Sequence, residues 1–566
     1  MPLTTAPAAA YDYLVVGGGA AGCVLAARLS EDPAAQVLLV EAGPDHRGVR
    51  ELLDAARWDA LIGGRYDYGY RSTPTDHVLG RSVGMPRGRV LGGSSSTNAM
   101  LWYRGNRADY DAWADAGATG WGYDDLLSYF RRSESRPGGD PAYRGLAGPM
   151  RVAPLARLHP IAHALMSAAA DRGLPVIEDA NAADDEGACY ADYNAVEVAG
   201  GGFERWSAAR AYLEPALGRP NLDVLTGSPV HAVVLEGDRT AGVRHLVDGT
   251  LVETRADAVV LAAGALDTPL LLQRSGIGDP ARLAAVGIRP VHELPGVGEN
   301  FQDHPLILGV NFRARAGLGE VVGNGGGTML NWRSSYAARG PDLHAVVAHG
   351  SRGDETLHER YDLGGDRVFA LVPGLYGSRS VGWVRARAAD AEVPADIQPN
   401  YLADPIDLAA MIEALDMAQD LVASPAYAGL AAGPLTPPPG LDRAARVRFV
   451  RENIGSFFHC SGTARMGVDE LAVVDPSLRV RGLSGLWVAD ASVMPSIPTC
   501  NTQAPTIAIA ERAVELIAAA SGSPVRASPY SSPEPVPGSR ASDTGSRTEY
   551  GLAGEDGAMP EQERSA

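Results

Sequence analysis

The chain has 566 residues, of which 45% are apolar and 21% are charged. Because an ordinary domain takes roughly 100 to 200 residues, this length and composition exclude a small stapled module, a fibrous protein and a mainly disordered chain. The formal charge of −19 would repel nucleic-acid phosphates and anionic lipid. We therefore expect a globular protein of more than one domain, with a small-molecule ligand and no nucleic-acid partner.

All 49 basic residues are arginine, since the sequence contains no lysine. Without an ε-amine the chain cannot form a pyridoxal-phosphate Schiff base, a Walker-type phosphate site or a lysine nucleophile. Its four cysteines include no CxxC pair, which indicates a reducing compartment and favours neither a disulfide framework nor a zinc site. The N-terminus lacks a signal-peptide pattern, and no apolar run reaches about 18 residues. We expect a cytoplasmic protein with no membrane span.

The first predicted elements form a βαβ unit, with strands at 11–16 and 36–40 around a helix at 20–29. A GxGxxG turn, GGGAAG at 17–22, joins the first strand to the helix. Its first glycine allows the tight turn, its second lets the backbone approach a pyrophosphate and its third lets the helix pack on the strand. An acidic residue ends the second strand, where it would accept hydrogen bonds from an adenosine ribose. The predicted dinucleotide-binding residues, for either NAD or FAD, are Gly17, Gly19, Ala20, Ala21, Gly22 and Glu41.

A second glycine-rich segment, GRVLGGSSSTN at 88–98, supplies closely spaced backbone amides, hydroxyls and an amide side chain. Such groups suit a pyrophosphate and a polyol such as ribityl, although a loop without a ligand could have the same composition. The candidate cofactor contacts in this segment are Arg89, Gly93 and Asn98.

Along the remaining chain, segments with the pattern of an antiparallel sheet alternate with segments that mix predicted strands and helices. Short alternating runs at about 150–225 and 306–455, such as 366–372 and 381–387, predict strands of an antiparallel sheet. Segments 222–305 and 456–520 return to an α/β style, and 504–520 predicts a long helix with Glu and Arg on its polar face. From residue 521 the composition of Ser, Pro, Gly, Glu and Arg predicts a disordered tail.

Five segments together resemble the signature blocks of the glucose-methanol-choline (GMC) flavoprotein oxidoreductases, in family order. The resemblance implies an α/β (α+β composite) fold: a Rossmann-like FAD-binding domain and a substrate-binding domain built on an antiparallel sheet with helices. The five segments are 88–111, 264–278 (GALDTPLLLQRSGIG), 294–305 (LPGVGENFQDHP), 459–467 (HCSGTARMG) and 488–505 (VADASVMPSIPTCNTQAP). The predicted FAD-binding domain comprises 1–150, 225–305 and 456–520, the substrate-binding domain 151–224 and 306–455, and the tail 521–566.

The same resemblance implies roles for individual residues. His459 would be the catalytic base and Asn501 would hold the alkoxide by a hydrogen bond, and a neutral histidine suits a base because its ordinary pKa is about 6.5. Thr97 stands where members with covalently attached flavin carry histidine, which implies non-covalent FAD. His304, in the third block, is predicted to be structural and to cover the cofactor. The further implied cofactor contacts are Val230, Asp490, Ala491 and Thr502.

The sequence thus favours FAD-dependent oxidation of an alcohol by hydride transfer to flavin N5, with oxygen or another molecule as electron acceptor. A non-redox enzyme on the same fold, either a lyase or a light-driven decarboxylase, is the first alternative. An NAD-binding reductase or a non-catalytic nucleotide-binding protein is the second. No pattern identifies the substrate, although Trp102 and Tyr103 are predicted to border the flavin and would favour an apolar or aromatic alcohol.

Overall fold

The structure is a computed structural model that describes residues 3–4, 8, 10–199, 201–361 and 363–521. The predicted disordered tail, apart from residue 521, lies outside the described residues. The predicted βαβ unit is confirmed: strand Ala10–Val16 runs parallel to strand Val37–Val40, and helix Ala20–Leu29 connects them. Every residue of Val37–Val40 is buried, as expected for a parallel strand that is covered on both faces.

This unit is the centre of a seven-stranded sheet, called the first sheet below. Two of its strands form an antiparallel extension on one side, and the rest pair in parallel. In spatial order the strands are Leu222–Leu225, Val37–Val40, Ala10–Val16, Thr250–Leu261, Arg239–Val247 and Val230–Glu236, and Leu486–Val488 also pairs with Thr250–Leu261. In Thr250–Leu261 only the last four residues form an unbroken buried run, and residues 253–257 alternate between exposed and buried.

An eight-stranded antiparallel sheet, called the second sheet below, forms the other half of the architecture. Its path runs Ala431–Thr436, Asn311–Ala314, Val368–Leu375, Leu343–His349, Thr328–Trp332 and Gly187–Tyr190, and two further strands, Pro305–Ile307 and Ile454–Ser456, join at one side. The predicted strand at 366–372 is confirmed within Val368–Leu375. One face of this sheet shares a hydrophobic core with the long helix Pro405–Val422.

Part of the predicted strand content was wrong. Helices Pro160–Asp171, Pro405–Val422 and Arg443–Asn453 occupy stretches that were expected to be mainly strands. Strand Gly382–Arg385 exists but belongs to a separate three-stranded sheet with Glu299–Phe301 and Asp396–Gln398. Side-chain caps explain where two of these helices begin, because Asp404 and Asp442 each accept a hydrogen bond from a first-turn backbone N–H.

The structure describes further helices and short strands along the chain. The remaining α-helices are Arg50–Leu53, Arg107–Asp115, Tyr123–Ser133, Glu214–Ala216, Gly264–Arg274, Pro280–Ala285, Glu355–Arg360 and Gln503–Ala520. Short segments of 3-10 or π-helix are Ala55–Leu61, Asp76–Val78, Gly93–Ser96, Ala209–Leu213, Pro425–Tyr427 and Ala491–Val493. Short strands are Glu134–Ser135, Met150–Arg151, Ala153–Pro154, Asp192–Tyr193, Ala195–Glu197, Phe203–Arg205, Ile277–Gly278 and His292–Glu293.

The predicted helix at 504–520 is confirmed as Gln503–Ala520, but its polar face is not solvent-facing throughout. Glu511 is fully buried and accepts a hydrogen bond from Arg28 of helix Ala20–Leu29 at 2.8 Å and from Tyr212 at 2.9 Å. Arg132 lies 3.1 Å from the same carboxylate. A buried carboxylate therefore fastens the C-terminal helix to the first βαβ unit.

The predicted domain division stays a prediction. The first sheet takes its strands from residues 10–40, 222–261 and 486–488, and one predicted boundary, at 225, falls at the end of strand Leu222–Leu225. In the part of the chain that the structure describes, no helix has the length and apolar character that a membrane crossing requires.

Candidate active site

The two glycine-rich segments meet at the carboxyl end of the first strand. The Gly92 N–H donates to the Gly18 carbonyl at 2.7 Å, and a Cβ on Gly93 would lie 2.7 Å from the Cα of Gly19. Within the first segment, a Cβ on Gly22 would lie 1.8 Å from the carbonyl oxygen of Gly17. Only hydrogen fits at these close approaches, so both glycine patterns are needed to bring the two backbones together.

Two of the long helices begin beside this junction without a side-chain cap. The helices that start at Ala20 and Gln503 have no side-chain acceptor at the N-cap, whereas Asn106, His159, Asp404 and Asp442 cap four of the other helices. Uncapped first-turn N–H groups and the positive end of the helix dipole attract an anion. These residues therefore fit the pyrophosphate and ring carbonyls of a flavin dinucleotide.

Glu41 lies beneath the first glycine turn, with 5% of its surface exposed. Its two oxygens accept from the Gly18 and Gly43 N–H groups, each at 2.7 Å. Burial raises the pKa of Glu41 to about 7. The two N–H donors and the positive charge of Arg89 act in the opposite direction and only partly offset the effect of burial. A carboxylate has about four lone-pair positions, so Glu41 keeps two with which to accept ribose hydroxyls. Arg89 itself is exposed and lies 5.7 Å from the Tyr68 ring centre.

Asn98 is held by an arginine that sequence reasoning missed. Arg205 is 1% exposed and donates to the Leu52 carbonyl at 2.9 Å and to Asn98 Oδ1 at 2.7 Å. Burial lowers the pKa of Arg205 to about 9. Because Asn98 Oδ1 accepts from Arg205, its Nδ2 is left to donate to Gln503 Oε1, which links the second glycine-rich segment to the C-terminal helix.

The other implied cofactor contacts lie in or beside the first sheet. Asp490 follows strand Leu486–Val488, and its carboxylate accepts from the Gly264 N–H at 2.8 Å and the Thr268 hydroxyl at 2.7 Å, while burial raises its pKa. Asp490 thus caps helix Gly264–Arg274 from another part of the chain. The contacts of the remaining three are made by backbone: the Ala491 carbonyl accepts from Gly462, the Thr502 carbonyl accepts from Thr506, and Val230 pairs with His245.

His459 and Asn501, the predicted catalytic pair, are in direct contact. The distance from His459 Nε2 to Asn501 Nδ2 is 3.1 Å, and His459 is 7% exposed. The Tyr376 hydroxyl lies 3.3 Å from Asn501 Oδ1, where it donates, so the amide NH₂ of Asn501 faces the imidazole. This network assigns the unprotonated nitrogen of His459 to Nε2. The chain therefore presents one basic nitrogen and one amide donor side by side.

On its other side the His459 ring meets His304, with 2.9 Å between the two Nδ1 atoms. One of these nitrogens must carry the shared proton, and because His459 Nε2 is unprotonated, His459 Nδ1–H donates to His304. Burial first, and then His304, Arg87 and His344, hold the pKa of His459 well below its usual value. His459 is consequently neutral at physiological pH and able to accept a proton.

One carboxylate positions both histidines. Asp303 Oδ1 accepts from the backbone N–H of His304 at 2.9 Å and from that of His459 at 2.7 Å. Its Oδ2 accepts from the hydroxyls of Tyr401 and Ser456. Asp303 is 3% exposed, and burial raises its pKa. These four donors use the lone pairs of Asp303. Its carboxylate therefore holds the backbone of His304 and the backbone of His459 in fixed positions beside each other.

Aromatic rings complete the surroundings. Tyr376 lies between His304 and His344, with 4.4 Å between ring centres on each side. Phe457 stacks parallel to His459 at 5.7 Å, and His344 Nδ1 lies 2.7 Å from Asn331 Oδ1. Burial lowers the pKa of both His304 and His344 to about 3. Sequence reasoning assigned no role to His344, Tyr376 or Phe457.

Other predicted neighbours of the site are occupied by protein contacts. Trp102 Nε1 donates to Glu134 at 2.7 Å and the Tyr103 hydroxyl donates to Asp185 at 2.8 Å, both within the buried protein. All four cysteines are buried and free; those at 460 and 500 belong to hydrophobic clusters. Across the described residues, no group of His, Cys, Asp or Glu is arranged to hold a metal ion.

Comparison with known proteins gives a consistent result. Family models described as GMC oxidoreductase match residues 11–306 and 378–510. The mitochondrial choline dehydrogenase of Homo sapiens is 37% identical over 90% of this chain and 89% of its own, and the alcohol dehydrogenase [acceptor] of Pseudomonas putida is 34% identical over 90% and 95%. The crystal structure of pyridoxine 4-oxidase from Mesorbium loti is similar with a TM-score of 0.84 and 34% identity, over 89% of this chain and 98% of that one.

Proposed function

Since the chain belongs to the GMC oxidoreductase family, we propose that it oxidises an alcohol to an aldehyde or ketone with His459 as the general base and Asn501 as the donor to the substrate oxygen. The family makes the chain an FAD-dependent oxidoreductase, and alcohol oxidation agrees with the names of its relatives. The contact between His459 Nε2 and Asn501 Nδ2 is the observation that carries the assignment of these two residues.

The chain's own residues suit this cofactor. When bound, FAD supplies a hydride acceptor at N5, which the amino acids themselves lack. The uncapped helix starts at Ala20 and Gln503 would hold its anionic and carbonyl groups. Thr97 has no imidazole with which to form a covalent link, which supports non-covalent binding. The proposed binding residues are Gly17, Gly19, Ala20, Ala21, Gly22, Glu41, Arg89, Gly93, Asn98, Val230, Asp490, Ala491 and Thr502.

The pair divides the work at the substrate oxygen. His459 Nε2 takes the hydroxyl proton and keeps it on the imidazole. The carbon that bears the hydroxyl group loses its hydride. Asn501 Nδ2 donates to the developing alkoxide, and the hydroxyl of Tyr376 holds the amide in that orientation. Because the pair is mostly buried, these hydrogen bonds act in a low dielectric, where they are strong.

A single purification tests this proposal against its alternatives. The protein should be yellow with a flavin spectrum, and an alcohol added without oxygen should bleach it. Turnover without bleaching would support a lyase or decarboxylase, and a colourless protein that binds NAD would support a reductase. Admission of air then separates the two possible electron acceptors, since rapid return of the colour indicates oxygen and slow return indicates another molecule.

The partners we propose are a small alcohol and an electron acceptor. The location we propose is the cytoplasm, which the four free and buried thiols support, because reduced cysteines are typical of a reducing compartment.

A further inference from the structure

One face of the second sheet forms a wall beside the catalytic pair. In strand Leu343–His349 the side chains alternate, so that Leu343, Ala345 and Val347 lie in the core shared with helix Pro405–Val422. His344, Val346 and Ala348 lie on the opposite face, where His344 stacks on Tyr376 and Ala348 joins a second apolar cluster. This opposite face, called the site face, is the one that meets His459.

The site face is apolar next to the base. Phe457 is fixed there because it packs on Gly374, where a Cβ would lie 2.1 Å from its ring. Three members of the cluster remain half-buried and offer surface to a small molecule, whereas the other four are nearly inaccessible. The half-buried members are Leu308, Val346 and Phe457, and the inaccessible ones are Leu306, Ala348, Ala370 and Val372.

Two buried carboxylates of this region, Asp303 and Asp185, already accept hydrogen bonds from the protein. Asp303 accepts from four donors, as described above. Asp185 accepts from the Tyr103 hydroxyl and the Asn106 amide, each at 2.8 Å. A cation placed on this wall would meet apolar side chains, and both of these carboxylates already accept hydrogen bonds from the protein.

The ring of Tyr376 offers no open face to a cation. A cation binds over an open ring face, within about 6 Å of the ring centre. Both faces of Tyr376 are covered by His304 and His344 at 4.4 Å. One face of Phe457 is covered by His459, and Arg87, which donates to the neighbouring Phe458 carbonyl, adds positive charge beside the base.

We propose that the substrate is a neutral alcohol whose carbon body packs against Leu308, Val346 and Phe457, and that quaternary ammonium alcohols are poor substrates. This inference rests on the proposed function and adds the substrate class to it. It also separates this chain from its choline dehydrogenase relatives, whose printed names indicate a cationic alcohol. Burial of an unpaired charge against an apolar wall is costly, whereas burial of a carbon body of the same shape is favourable.

The test compares two alcohols of the same shape on the holoenzyme. Choline carries a quaternary nitrogen where 3,3-dimethylbutan-1-ol carries a quaternary carbon, so the pair differs essentially in charge. We expect kcat/KM for the neutral alcohol to exceed that for choline by on the order of 100-fold or more, because the charge would be buried against apolar side chains. The two compounds can also be compared as competitive inhibitors of the oxidation of any other alcohol that bleaches the flavin. The neutral alcohol should then have the lower inhibition constant.

The possible outcomes distinguish this inference from the proposed function. Choline used or bound as well as its neutral counterpart would overturn the substrate class and leave alcohol oxidation standing. Failure of every alcohol to bleach the flavin would instead overturn the proposed function.

Val346 provides a matched pair of variants. Val346→Asp adds a carboxylate to the wall, and Val346→Asn adds an amide of nearly the same size without charge. We expect the ratio of kcat/KM for choline to that for the neutral alcohol to rise tenfold or more in Val346→Asp relative to Val346→Asn. Equal ratios in the two variants would contradict the placement of Val346 against the substrate.

Discussion

At the scale of single residues, the structure assigns a basic nitrogen to His459 and explains why it is available. Its Nε2 faces the amide of Asn501, while its Nδ1 meets His304, so Nε2 is the one nitrogen of the ring that is left to accept a proton. Asp303 adds a fixed backbone position for both histidines. The reactive geometry therefore depends on groups that never need to touch the substrate.

Replacement of the base gives the first prediction. His459→Ala should retain FAD and slow anaerobic flavin reduction by roughly 10²- to 10⁴-fold, the usual contribution of a general base. The rate is measured by stopped-flow absorbance at saturating alcohol. His231→Ala, at an exposed position, is the control and should reduce at the rate of the unaltered enzyme. Reduction at nearly the same rate in both variants would remove His459 from the mechanism.

The positioning role of Asp303 gives a second prediction. Asp303→Asn keeps one acceptor oxygen for the two backbone N–H groups but loses acceptor capacity towards Tyr401 and Ser456. We expect kcat to fall at least tenfold with little change in KM, because the histidine pair shifts while the apolar wall remains. A purely structural role would instead lower the melting temperature and leave kcat of the folded enzyme unchanged, which thermal melts measured beside the kinetics would reveal.

Thr97 gives a third prediction at this scale. Its side chain is a hydroxyl whose nearest partner is the Ser94 carbonyl, at 3.5 Å, and no imidazole stands at this position. Acid precipitation should therefore release all FAD into the supernatant, where its absorbance is measured. Flavin that stays with the protein pellet would show a covalent link at another residue.

At the scale of elements, the glycine turns and the uncapped helices form the cofactor site that we propose. Substitutions at two glycines of the first turn distinguish an effect on folding from an effect on FAD binding. A Cβ on Gly22 would lie 1.8 Å from the Gly17 carbonyl, whereas a Cβ on Gly19 would have no protein atom closer than 4.0 Å. Gly22→Ala should thus prevent stable folding, and Gly19→Ala should give a folded protein with at least tenfold weaker FAD binding, because the added methyl fills the space a phosphate needs.

The measurements are the melting temperature without added FAD and the FAD dissociation constant by flavin fluorescence. Gly218→Ala is the control, because a Cβ there would meet no atom within 4 Å. Equal FAD affinity in Gly19→Ala and Gly218→Ala would contradict the approach of the pyrophosphate to Gly19.

Elements with strong local signals could be predicted from the sequence. The first strand, helix Ala20–Leu29 and helix Gln503–Ala520 follow from apolar periodicity and glycine positions. Helix Pro405–Val422 was missed although Asp404 and Pro405 form an ordinary helix start. Its surroundings are rich in short alternating runs, and the strand interpretation was extended across it.

The residues of the candidate site also differ in how strong a signal each has in the sequence. His459 and Asn501 are predicted because each lies in a block that resembles a family signature, and the structure places them in contact. Sequence reasoning did not find His344, Tyr376 or Arg205, because their neighbours in sequence carry no chemical pattern. Only the fold brings His344 and Tyr376 to the pair, and only the fold brings Arg205 to Asn98. The interpretation of His304 as a cover for the cofactor missed its contact with His459, because adjacency across 155 residues is a property of the fold.

At the scale of the whole molecule, the sheets bring three buried histidines together, and this arrangement links stability to pH. Burial holds the pKa values of His304 and His344 at about 3, and that of His459 well below its usual range. In the unfolded chain a histidine titrates near pH 6.5. Between about pH 6.5 and 3 the unfolded state therefore binds more protons, so the free energy of unfolding falls as the pH falls.

The stabilisation by the neutral histidines should be complete above pH 6.5 and be lost progressively as the pH falls through this window. Each buried histidine should contribute a slope of up to about 1.4 kcal/mol per pH unit, so His344→Gln should lower the slope by about that amount. Urea unfolding of the holoenzyme with excess FAD, measured from pH 6 to 4.5, determines both slopes. His231→Gln, at the surface, should retain the slope of the unaltered protein. Equal slopes in the two variants would show that His344 is protonated in the native state. A charged ring would then make the hydrogen bond to Asn331 and stack on Tyr376.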